Sequence, residues 1–79
     1  MWTKITDTNS YSIKVGISIC QNNPENIDNS LETVYVVENI SPIGDITIKT
    51  ENIIKVTNYK GTRIVDIIKL IEEGWFMMI

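Results

Sequence analysis

The sequence predicts an α+β fold: a small antiparallel or mixed sheet of four to five strands with one main C-terminal helix packed on one face. Three observations carry this. The 79 residues are rich in isoleucine, asparagine and threonine, hold no alanine, and include only Leu31 and Leu70 as leucines. The β-branched isoleucines and threonines suit a pleated surface, although an AT-rich coding genome would enrich isoleucine and asparagine for no structural reason. Tyr11, Ile13, Val15, Ile17 and Ile19 alternate with polar or small residues up to Cys20, the period of a half-buried strand. Ile64, Ile67, Ile68 and Ile71 recur at helical spacing.

Taken in order, Trp2 to Thr6 offers a short first strand or flap, and residues 11–20 the clearest strand. Gln21 to Ser30 is polar and Asn-rich. Within it, Asn23-Pro24-Glu25 has the form of an N-cap, a proline at the first helical position and an acid in the first turn. Ile27 and Leu31 would share one side of a turn of helix. Residues 32–39 carry Val34-Tyr35-Val36-Val37, apolar on both faces as in an interior strand, and Ser41-Pro42-Ile43-Gly44 is turn chemistry. Strands at 45–49 and 53–58 pair as a hairpin if Thr50-Glu51-Asn52 is its loop, since Ile48 then faces Ile54 and Ile46 faces Val56.

Residues 62–73 read as the main helix, with Thr62 as N-cap and Gly74 as the left-handed residue that stops it. Trp75 is then placed to pack back on Leu70. The final strand, 75–79, ends on Trp75-Phe76-Met77-Met78-Ile79, apolar throughout, which implies that it is tied into a sheet or held by a partner. A right-handed crossover would make the strands flanking the helix parallel if they are neighbours. The whole chain, residues 1–79, forms one domain.

Composition excludes more chemistry than it offers. No histidine is present, so the commonest general base and zinc ligand are missing. The lone Cys20 closes no intrachain disulfide and has no base beside it in sequence. There is no phosphate-loop, dinucleotide or calcium-loop pattern, and Glu72-Glu73 is the only adjacent acidic pair. The expectation is a non-enzymatic protein with no cofactor and no metal. No leader and no bilayer-length apolar run is seen, which reads as a complete cytoplasmic chain with no membrane association.

Net charge is −3, and from Gly16 to Ile48 there is no Lys or Arg while Glu25, Asp28, Glu32, Glu38 and Asp45 all fall there. An acidic middle argues against general nucleic-acid or anionic-membrane binding and leaves open an acidic face that meets a basic partner. One helix can cover one face of a small sheet, yet 34–37 and 75–79 are apolar on both. Something else must cover the second face: Trp2–Ile5, the Ile27/Leu31 turn, a second copy or a target. The contact residues so identified are Glu25, Asp28, Glu32, Tyr35, Glu38, Trp75 and Phe76.

A small acidic chain of this kind suits an inhibitor or antagonist that occupies a partner's surface, as phages and other mobile elements encode against host defence. The alternative is a protein that binds or sequesters a nucleotide-like ligand, in a site that two copies could share. Tyr59, Lys60, Thr62 and Arg63, around Gly61, would then form an anion site at the helix N-terminus.

Overall fold

The structure, a computed structural model, describes residues 1–25, 33–50 and 62–79. Along the chain these form β1 (Trp2–Lys4), a 3-10 turn (Ser10–Ser12), β2 (Ser18–Cys20), β3 (Val34–Ile40), β4 (Ile46–Thr50), β5 (Thr62–Val65), α1 (Ile67–Glu72) and β6 (Phe76–Met78). The strands make one six-stranded sheet in the order β1-β6-β2-β3-β4-β5. Every adjacent pair is antiparallel.

The protein is therefore mostly β, and the expected α+β arrangement with a main C-terminal helix is wrong. The error lies in residues 62–73. Thr62 to Val65 pair with β4, Ile48 opposite Arg63 and Ile46 opposite Val65, and only the six residues of α1 are helical. Both sides of β4 are thus taken, by β3 and β5. Ile46 and Ile48 face Val65 and Arg63 across this pairing; the partner strand of the expected hairpin, 53–58, lies outside the described residues. Nor does a parallel pair flank the helix: α1 carries the chain from β5, at one side of the sheet, to β6 between β1 and β2.

The helix starts where Asp66, in extended backbone, accepts the Lys69 amide on its carboxylate at 2.7 Å, the N-cap role expected of Thr62. It ends as the sequence indicates. Gly74 has φ +72°, its amide donates to the Ile71 carbonyl, and the Trp75 amide donates to Leu70 at 3.0 Å. That pair of bonds is the Schellman closure, and it drops Trp75 into the core beside Leu70. Gly74→Ala should cost about 1–2 kcal/mol, the strain of a Cβ in the left-handed region, and Asp66→Ala about 1 kcal/mol. Urea unfolding midpoints check both.

One sheet face carries the core. Ile19, Tyr35, Val37, Ile46, Ile48, Val65 and Met77 project from it against Leu70, Trp75, Ile5 and Ile13, with Ile17, Ile67 and Ile71 packed at the margin. The segment expected as one strand over 11–20 divides. Its start is the 3-10 turn, Gly16 turns the chain at φ +95°, and only Ser18 to Cys20 pair as a strand. Ile13 and Ile19 are buried, whereas Tyr11 and Val15, assigned by alternation to the same buried face, are exposed. No helix among the described residues is long and apolar enough to cross a membrane.

Candidate functional site

The core face is sealed by the chain itself. Tyr35, Val37, Trp75 and Met77 are all buried, with Trp75 and Met77 at 0 % exposure, so Tyr35 and Trp75, two of the expected contact residues, are packed within the chain. Arg63 completes this packing. Its guanidinium carbon lies 5.3 Å from the Trp75 ring centre and 5.8 Å from that of Tyr35, and the two rings are 5.8 Å apart. A cation over two π-faces caps the end of the core.

The residues singled out from sequence are thus dispersed. Glu25 is exposed and its carboxylate accepts the Trp2 amide at 3.3 Å. Glu38 stands at a bulge between Val37 and Asn39, 3.5 Å from the Lys49 ammonium. Phe76 is half-buried on the sheet face away from the core. Asp28 and Glu32 lie outside the described residues, as do Ile27 and Leu31; the Asn23 carboxamide oxygen does accept the Glu25 amide at 3.0 Å, as a cap would.

Of the alternative anion site, Tyr59 and Lys60 lie outside the described residues. Thr62 and Arg63 belong to β5, not to a helix end, and the first turn of α1 is filled by the Asp66 carboxylate. Among the described residues no group of three His, Cys, Asp or Glu side chains could hold a metal ion.

A different surface stands out. Where the 3-10 turn and the bend before β2 pass the end of β6, a groove of about 720 Å³ opens between Tyr11, Lys14, Val15, Ile17, Met78 and Ile79. Nine large apolar side chains are exposed among the described residues, and four of them, Tyr11, Val15, Met78 and Ile79, line this groove. A fifth, Met1, adjoins it, since the Ile79 amide donates to the Met1 carbonyl. Tyr11 is 86 % and Val15 61 % exposed.

The local fold explains why. The Ile13 amide closes on the Ser10 carbonyl, the Ile17 amide on Lys14, and the Gly16 amide reaches the Val37 carbonyl at 2.9 Å. This folding turns Ile13 inward and leaves Tyr11 and Val15 outward. Among the described residues of the lining, Lys14 supplies the only charged side chain. Sequence alternation hid the site, because it placed Tyr11 and Val15 on a buried strand face. The sign that could have exposed it was Gly16, a residue that often marks a bend inside an alternating run. No family model, curated protein or solved structure matches the chain.

Proposed function

We propose that the protein is a non-enzymatic binding protein that acts by occupying a partner's surface, with the groove of Tyr11, Val15, Met78 and Ile79 as the contact. One observation carries this: among the described residues, four of the nine exposed large apolar side chains line a single concave site, while the core face is closed. Scattered apolar residues on a surface need no explanation, but a contiguous patch around a concavity marks an interaction site. An inhibitor or antagonist is the role such a small acidic chain fits best. Glu25 and Glu38 are exposed acids that each engage a group of the chain itself, and neither lines the groove. Nothing in the placement of Thr62 or Arg63 favours the nucleotide-sequestering alternative.

The test places a photo-crosslinking residue at position 15 and compares Tyr11→Ser/Val15→Glu with Ile43→Glu, an equally exposed apolar residue outside the groove. The double variant should lose about tenfold or more in partner capture, equivalent to 1.4 kcal/mol or more of contact energy. Its unfolding midpoint should stay put because both side chains are exposed. Ile43→Glu should bind as wild type. Undiminished capture by the folded double variant would remove the groove from the interface.

A further inference from the structure

Among the described strands β1 lies at one edge of the sheet. The Ile79 amide donates to Met1 and the Ile5 amide to Trp75, and Thr3 faces Met77. Strand alternation therefore turns the N–H and C=O groups of Trp2 and Lys4 outward. A row of that kind is a template for another strand.

Side chains occupy half of it. Glu25 Oε1 accepts the Trp2 amide at 3.3 Å. Asn9 Nδ2 donates to the Lys4 carbonyl at 2.9 Å while its Oδ1 accepts the Thr6 amide at 2.8 Å. A carboxamide has the donor and acceptor of a peptide group, so Asn9 fills the place that a neighbouring strand would take.

We infer that the β1 edge is a latent dimer edge, held shut by Asn9 and Glu25, whose occupant when they withdraw is β1 of a second copy. The register follows from which groups are covered. About a two-fold axis at Thr3, Trp2 of one copy exchanges both backbone hydrogen bonds with Lys4 of the other, and the two lysines do not oppose each other. In that pair each Trp2 N–H donates to the opposing Lys4 carbonyl. Those are the two groups that Glu25 and Asn9 engage, so the caps block matching halves of the same bond. The edge is self-complementary, and it is closed at the points where self-complementarity would be used. This inference is independent of the groove and of the function proposed for it.

Sedimentation equilibrium of the full chain tests it with Asn9→Ala/Glu25→Ala, alone and combined with Lys4→Pro, which deletes an outward N–H that the sheet itself does not use. The double variant should self-associate about tenfold or more tightly than wild type, and Lys4→Pro should return it to the wild-type value. Equal association of the double variant and wild type, or a dimer indifferent to Lys4→Pro, would overturn the inference. Because Asn9 also braces the bend between Lys4 and Thr6, Glu25→Ala is measured by itself. It removes one exposed contact and should strengthen self-association on its own; if the double variant fails to fold, an unchanged constant for Glu25→Ala overturns the inference.

Discussion

Trp75→Ala is expected to cost about 3–5 kcal/mol, as large-to-small changes of buried aromatics do, and to leave the chain largely unfolded at room temperature. Trp75 is fully buried, is among the largest side chains of the core, and is held from several directions. Its amide closes the end of α1 on the Leu70 carbonyl, its carbonyl accepts the Ile5 amide at 2.8 Å, and its indole Nε1–H donates to Glu73 at 3.2 Å. Its ring also meets Tyr35 and carries the Arg63 guanidinium. Truncation keeps the two backbone bonds and removes everything else, opening a cavity beneath the short helix. A domain of this size has a total stability of only a few kcal/mol. Trp75→Phe keeps an aromatic face for Tyr35 and Arg63 and should lose less than half as much. Far-UV circular dichroism during urea unfolding measures both, and a Trp75→Ala midpoint close to wild type would show that the indole does not organise the core.

The second large effect separates adjacent residues. Val65 is 3 % exposed and faces Ile46 across the sheet, whereas its neighbour Ile64 is 69 % exposed on the other face. Val65→Asp buries a carboxylate in the apolar cluster that holds Ile46, Ile48 and Leu70, and any pairing with Arg63 would draw the guanidinium off the Trp75 and Tyr35 rings, so the change should cost about 3 kcal/mol or more. Ile64→Asp sets the same charge in water and should cost about 1 kcal/mol or less, mainly through β-propensity. A helix over 62–73 demands the opposite order, because Ile64 would then begin the buried stripe and Val65 would stand beside it. Unfolding midpoints for the two variants decide between strand and helix.

That pair of residues also shows where the sequence was legible and where it was not. Strands whose identity depends on a purely local pattern came through: 32–39 was expected where β3 runs Val34–Ile40, and 45–49 where β4 runs Ile46–Thr50. Gly44, at φ +94°, closes the turn between them, its amide on the Ser41 carbonyl. The stop at Gly74 was equally plain, since a left-handed residue leaves few alternatives to glycine.

Residues 62–73 misled because isoleucines four apart satisfy helical spacing by count, whatever their neighbours do. The local chemistry spoke otherwise. Thr62, Ile64 and Val65 are β-branched, and Asp66 is a stronger N-cap candidate than a threonine four residues earlier. A sheet partner, β4, then settled the competition, and no window of sequence contains that partner. The groove was hidden for a related reason. Alternation over 11–20 was real, but Gly16 and the 3-10 turn broke its geometry, so Tyr11 and Val15 left the face on which Ile13 and Ile19 stay.

The supposed excess of apolar strand surface resolves the same way. Tyr35 and Val37 face the core and are covered by α1, Trp75 and the segment from Ile5 to Ile17. Val34, Val36 and Phe76 alternate to the opposite face and are only half-buried. Among the described residues, Tyr11, Val15, Met78 and Ile79 form the one group of exposed large apolar side chains that shares a concave site, at the end of β6, while Ile40, Ile43, Ile64 and Ile68 are exposed outside it.

The most direct measurement is methyl-resolved NMR of the free protein with a soluble, uncharged paramagnetic agent. The methyl groups of Val15, Met78 and Ile79 should relax strongly, while those of Ile13, Ile19, Val37 and Met77, some within one residue in sequence, should be shielded. If Val15 and Met78 prove as protected as Met77, or Ile19 and Val37 as accessible as Val15, then the core face is not sealed as described and the groove is not the protein's open apolar surface.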